Sequence, residues 1–230
     1  KYRYVKIKKI ELEVLKKSDI IVNNNHKDLL LLQNEGISAE KLRELPIYFN
    51  SYDYVKRTNI NRNILFYGAM ARRENYESAI WFIENVMPLL KDEKVNFVVV
   101  GSRPHKSLLA KQSKNVVITG YVEYVESYLE HSLCLVAPLV LGAGIKVKIL
   151  EAMSSGIPVL TNTIGIEGIY AKDGIHFDLC VTPEDYVCAI KKIITYNFVE
   201  NKEAKKFVKE NYDLASAFEM FMKRDLLYSQ

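Results

Sequence analysis

The chain has 230 residues, 49% of them hydrophobic and 26% charged, with only 10 glycines and 6 prolines; this is the composition of a soluble globular protein with one large domain and room for part of another. Its formal charge of +4 comes from 32 basic and 28 acidic residues scattered along the sequence, which argues against a nucleic-acid protein, where basic residues gather on one face. The three cysteines, Cys134, Cys180 and Cys188, form no CxxC pair, so neither a disulfide framework nor a zinc site is expected and a reducing, cytoplasmic compartment is the simpler inference.

No apolar run reaches the ~18 residues that would give a transmembrane segment, and no signal peptide opens the chain. The first residue is Lys1 rather than Met, which suggests a fragment of a longer protein. Tyr2 to Lys17 places Val5, Ile7, Ile10, Leu12, Val14 and Leu15 among many charges and reads as an amphipathic helix. Its basic character would suit an anionic membrane surface or an acidic partner; a solvated outer face fits better, because Glu11 and Glu13 interrupt the positive charge. Asp19 to Val22 reads as a short strand broken by Asn23-Asn24-Asn25, and His26 to Asn34 as a helix ended by Gly36. Pro46 to Phe49 is read as a further strand. Asn50 to Asn63, polar and irregular, is read as a linker and domain boundary.

Beyond Asn63 the pattern becomes regular. Apolar runs at Ile64–Tyr67, Phe97–Val100, Val116–Ile118, Leu133–Ala137 and Pro158–Leu160 alternate with helical segments at Asn75–Leu90, Lys106–Gln112, Tyr124–His131 and from Lys146 onward. Short continuous apolar strands between helices mark a parallel sheet covered on both faces, so the fold class expected is α/β, a doubly wound parallel sheet. Such sheets bind ligands beyond the carboxyl ends of their strands, where Gly68, Gly101, Gly120 and Gly142 fall. Pro183 to Tyr196, Asn201 to Tyr212 and Leu214 to Tyr228 read as C-terminal helices.

The chain is organised around Pro138 to Met153. Gly142 and Gly144 let the backbone turn tightly and approach a ligand, and helical spacing starts at Lys146, with Ile149 and Met153 on one face. The amides at that helix start, with Lys146 and Lys148, form a seat for an anion such as a diphosphate, with Glu151 one turn further in to accept hydrogen bonds from sugar hydroxyls. The competing reading is a surface helix with solvated lysines and a Lys148–Glu151 pair at i, i+3. GxGxxG is absent after the first strand, where Gly68-Ala69-Met70-Ala71-Arg72-Arg73 stands, and neither GxxxxGK[ST] nor GxSxG occurs. His26, His105, His131 and His176 lack metal-ligand spacing, and no Asp-x-Asp pair is present; no metal and no cofactor is expected.

Gly142-Ala143-Gly144-Ile145-Lys146-Val147-Lys148-Ile149-Leu150-Glu151-Ala152-Met153 with Gly156-Ile157-Pro158-Val159-Leu160 resembles the donor-site signature of family 4 retaining glycosyltransferases (group 1) of the GT-B fold. Phe66-Tyr67-Gly68-Ala69-Met70 with Arg73 and Asn75, Val99-Val100-Gly101, Thr119-Gly120-Tyr121-Val122, Ala137-Pro138-Leu139 and Gly165-Ile166-Glu167-Gly168 follow in the family's order. The resemblance covers about residues 60–195. It implies a Rossmann-like C-terminal GT-B domain that binds a nucleotide-diphosphate sugar, with Glu151 on the ribose, the Gly142 to Ile145 backbone with Lys146 and Lys148 on the diphosphate, Gly120, Tyr121 and Val122 against the base, and Gly68, Arg73 and Asn75 in the loop facing the cleft. Residues 1–60 would be a remnant of the N-terminal acceptor domain plus linker, 61–197 the donor-binding domain, and 198–230 helices that cross back.

The family's first carboxylate position is Ala143 here, which removes one side-chain contact to the donor sugar. Glu167 is read as structural, capping the turn at Gly168. The activity implied is metal-independent, retaining sugar transfer to a glycan or lipid-linked glycan, in the cytoplasm or peripheral at the inner membrane face, in partnership with the missing acceptor domain. The alternatives are a non-catalytic nucleotide-sugar-binding scaffold subunit and a doubly wound domain with an unrelated ligand.

Overall fold

The computed structural model describes residues 2–45, 47, 49–212 and 218. The chain divides into two compact units, one of Lys1–Tyr48 with Asn211–Gln230, the other of Phe49–Glu210.

In the first unit, helix α1 (Tyr2–Lys17) is followed by strand β1 (Ile21–Asn23), helix α2 (His26–Asn34), a 3-10 turn (Ala39–Lys41) and strand β2 (Leu42–Glu44). β1 and β2 pair in parallel with Ile21 opposite Leu42. Ile21, Leu29, Ile37 and Leu42 form a small core, with Leu15 and Leu32 packed against it. Asn25 caps α2 by accepting from the Asp28 amide at 2.9 Å, and Lys8 ties α1 to Glu35 at 2.5 Å. The outer face of α1 leaves Val5, Ile7, Ile10 and Val14 exposed. The strand expected at 46–49 is corrected: Ile47 and Phe49 carry no strand, Pro46 and Tyr48 lie outside the described residues, and the pairing segment is Leu42–Glu44, where Leu42 fills the core and Arg43 turns inward to donate to the Glu40 carbonyl at 2.6 Å. The helix expected over 214–228 also lies outside the described residues, apart from Phe218.

The second unit begins with irregular chain from residue 49 to 62. Buried Arg57 fixes it by donating to the carbonyls of Leu129, Ser132 (2.7 Å) and Val199 (2.5 Å); burial lowers that guanidinium to about 10. The elements that follow are β3 (Asn63–Tyr67), α3 (Arg73–Asn85), a 3-10 segment (Met87–Glu93), β4 (Asn96–Val100), α4 (Lys106–Leu109), β5 (Val116–Gly120), α5 (Glu126–His131), β6 (Cys134–Ala137), α6 (Val147–Ser155), β7 (Val159–Thr161), β8 (Asp178–Leu179), α7 (Pro183–Tyr196) and α8 (Lys202–Asn211).

β3 to β8 form one six-stranded sheet in the order β5-β4-β3-β6-β7-β8, every pair parallel. The first strand of the sheet thus lies beside the fourth, and the chain winds outward in both directions from that pair. This is the doubly wound order, whose ligand crevice opens between the two central strands at the switch point. Ile64, Leu65, Phe66, Phe97, Val99, Leu135 and Val136 are buried, as continuous apolar strands covered on both faces require. Phe82 of α3 packs against Phe97 at 4.6 Å between centroids. Gly101, with φ +152°, is a glycine by necessity, since a Cβ there would lie 1.7 Å from the Gly68 carbonyl oxygen.

Candidate functional site

β3 ends in Gly68 and β6 in the Pro138–Lys146 segment, and these two ends meet over the switch point. The cleft between them has a volume of about 320 Å³ and is lined by Gly68, Arg72, Glu74 and Asn75 on the β3 side and by Leu139, Gly142, Ala143, Ile145, Lys146, Val147 and Lys148 on the β6 side. The turn is possible because Gly142 and Gly144 adopt φ +136° and +72°. It delivers the chain into α6 with Lys146 as its N-cap residue, so the first amides of α6 and its positive dipole end open onto the cleft.

Lys148 is the centre of the charge arrangement. Its Nζ stands 4.5 Å from the centroid of the Phe66 ring and donates to Asn75 Oδ1 at 2.7 Å. Asn75 is itself held by donating from Nδ2 to the Ala69 carbonyl at 3.0 Å. Burial is the main cause that lowers the Lys148 ammonium to about 7, with Lys146 and Arg72 adding repulsion and Glu74 opposing it. Glu151 is half-buried one turn into α6, and burial raises its carboxyl. Tyr67 Oη lies 3.0 Å from Glu151 Oε2 and 2.9 Å from the Lys148 carbonyl, which fixes the carboxylate beside the start of α6. The i, i+3 surface pair that would have left these residues in solvent is not formed: Lys148 bonds to Asn75 and Glu151 to Tyr67.

Gly68, Asn75, Gly142, Ala143, Ile145, Lys146 and Lys148 are thus brought together. Gly144 lies in the same loop, and Glu151, one turn into α6 and held by Tyr67, is not among the residues that line the cleft. Arg73 goes elsewhere: its side chain is 71% exposed and pairs with Glu77 at 2.7 Å along α3, while its neighbour Arg72, paired with Glu74 at 2.5 Å, lines the cleft. Gly120, Tyr121 and Val122 leave the end of β5, joined to the β3 end through the Gly101 amide, which donates to the Gly120 carbonyl at 2.9 Å, and the Gly68 amide, which donates to the Val100 carbonyl at 3.0 Å. Tyr121 is 75% exposed there.

Glu167, read as a structural residue at Gly168, also reaches the glycine loop. Its Oε2 accepts from the Gly144 amide at 3.0 Å and lies 3.8 Å from Lys146 Nζ. Tyr67 and Arg72 escape a reading of the sequence because each acts from the flank of a motif: Tyr67 is the last residue of a strand, and Arg72 becomes a cleft residue only because α3 starts one position later. Glu167 does stand in a recognisable run, Gly165 to Gly168, but its partner is 23 residues away.

A family model described as "Glycosyl transferases group 1" matches residues 61–196. An uncharacterised 44.6 kDa protein in the cps region of Klebsiella pneumoniae is 24% identical over 226 residues, which is 89% of this chain and 57% of that protein. The chain spans about half the length of the curated relatives it matches. Among solved structures, TarM of S. aureus is similar with a TM-score of 0.77 at 18% identity, over 95% of this chain and 46% of that one. The HepE protein of Anabaena, solved in complex with UDP, also gives 0.77, at 13% identity, over 96% of this chain and 67% of that one.

Proposed function

This chain belongs to the group 1 glycosyl transferase family, and from that premise we propose that its Phe49–Glu210 unit holds the nucleotide-diphosphate sugar donor of a glycosyl transfer. The parallel sheet of that unit is the Rossmann-like domain of the GT-B fold. The observation that carries the proposal is the convergence of the glycine loop, the amino end of α6 and the Lys148 ammonium on one cleft at the switch point. UDP in the HepE complex supports a uridine nucleotide as the first probe.

In this reading the diphosphate lies on the amides of residues 143 and 145–147, the Gly144 amide being held by Glu167, and against Lys146, Lys148 and Arg72. Glu151 accepts the ribose hydroxyls, and the Gly120–Val122 turn borders the base. When the bond between the sugar's anomeric carbon and the phosphate oxygen breaks, the electron pair stays on the diphosphate. Fixed amides and lysines already aimed at that oxygen stabilise the developing charge without reorganising, and for this reason the reaction is proposed to run without a divalent cation. Retention of the anomeric configuration and a glycan or lipid-linked glycan acceptor complete the proposal; the cps region of the Klebsiella relatives supports a setting in polysaccharide synthesis. The Lys1–Tyr48 unit is read as part of the acceptor side of a longer enzyme, a reading supported by the apolar residues α1 leaves exposed. Its basic α1 would also suit a peripheral position at the inner membrane face. Among the described residues no helix is long and apolar enough to cross a membrane.

The test is calorimetric titration of UDP, GDP and ADP, without added metal, into the wild type and Glu151→Ala. One nucleotide is expected to bind and to lose about tenfold in affinity in the variant. Absence of binding by all three at millimolar concentration would refute the donor site.

A further inference from the structure

The loop after β7 is locked to the end of β6. Thr161 Oγ1 donates to the Ala137 carbonyl at 2.9 Å, Asn162 Nδ2 donates to the Leu139 carbonyl at 2.8 Å, and Asn162 Oδ1 accepts from the Gly165 amide at 3.0 Å. Gly165 fits so closely that a Cβ would stand 1.9 Å from Thr161 Oγ1. From this fixed shelf Glu167 reaches across to the glycine loop, where its Oε2 accepts the Gly144 N–H at 3.0 Å. The Lys146 ammonium, its side chain only 11% exposed, lies 3.8 Å from the same oxygen and donates to the Gly144 carbonyl.

A loop containing two glycines with positive φ has many conformations open to it, and ordering it at the moment of binding would weaken binding. We infer that Glu167 is the positioning residue that holds the 142–146 loop and the Lys146 ammonium in the shape that receives a phosphate group. The inference rests on the donor-site reading above. It assigns the work to the hydrogen bond on Gly144 rather than to the negative charge, which beside a diphosphate would be unfavourable. Geometry and charge can therefore be separated: Glu167→Gln keeps an acceptor at the same reach, whereas Glu167→Asp keeps the charge but is one methylene too short.

The experiment is titration of UDP into the full chain as wild type, Glu167→Gln, Glu167→Asp and Glu167→Ala, with the melting temperature of each measured in parallel. The expected result is an affinity for Glu167→Gln within about threefold of wild type and a loss of about tenfold in both the Asp and Ala variants. A loss of affinity in the Asp and Ala variants with the melting temperature unchanged separates loop positioning from a general loss of folding; a loss that tracks a fall in melting temperature would overturn the inference. Affinity unchanged or tighter in Glu167→Asp and Glu167→Ala would overturn the inference while leaving the donor site standing. Failure of the wild type to bind any of UDP, GDP and ADP would overturn both; if GDP or ADP is the one that binds, the same series is titrated with it.

Discussion

Two cavities of similar size lie at opposite ends of the same sheet, and their chemistry differs. The cleft at the carboxyl ends of β3 and β6 is lined by backbone of a glycine loop, two lysines, an arginine and Asn75. The cavity at the amino ends of β7 and β8, about 270 Å³, is walled by Val159, Ile175, Phe177, Ile193, Tyr196 and Phe198, with Asp178 and Lys192 at its side. The difference follows from the parallel sheet. Every crossover helix starts at the carboxyl end of a strand, so the amides and positive dipole ends collect there. The opposite end receives helix carboxyl ends and apolar packing. Two cavities of similar volume thus differ because strand direction decides which end collects the amides and positive dipole ends.

The comparison is broken most severely at Lys148. Lys148→Met removes the central cation of the cleft and is expected to weaken UDP binding about a hundredfold in calorimetry. The fold should be no less stable to urea, because the residue removed is one whose charge burial disfavours. The apolar cavity should respond in the opposite sense: Ile193→Ala deletes a buried side chain and is expected to destabilise the protein by about 2–4 kcal/mol in urea unfolding, with UDP affinity unchanged.

A subtler contrast is pH. With Lys148 lowered to about 7 from an ordinary value of 10.5, the unfolded chain holds a proton between those values that the folded one has lost. Stability from this group therefore rises with pH through that window and falls as pH drops toward 7. Anion affinity runs the other way. UDP binding should weaken by up to about tenfold per unit above pH 7 and should take up close to one proton at pH 8.5, read from titrations in buffers of different ionisation enthalpy. Lys148→Met should abolish the proton uptake. The smallest effect is expected at Arg73: Arg73→Ala removes an exposed pair with Glu77 and should leave both the urea-unfolding midpoint and UDP affinity unchanged.

The parallel sheet was legible because β3, β4 and β6 are apolar runs closed by glycine or proline, a pattern that period and length identify together. β2 and β8 were not: Leu42-Arg43-Glu44 and Asp178-Leu179 carry no run of that kind and are strands only because a neighbour supplies the ladder. The same division holds in the site. Gly142, Lys146 and Lys148 announce themselves by spacing around a helix start. Arg72, Tyr67 and Glu167 act through space, and their roles depend on where a helix begins or on what a distant loop brings near. Arg73 shows the reverse: its motif position suggested the cleft, but the first turn of α3 points it at Glu77.

The most direct test of the account is a crystal structure of this chain with UDP. The diphosphate is expected on the amides of residues 143 and 145–147 with Lys148 Nζ within hydrogen-bond distance of a phosphate oxygen, the Gly144 amide still on Glu167, and the ribose beside Glu151. A nucleotide seated away from Lys148, or in the apolar cavity at the amino ends of β7 and β8, would contradict it.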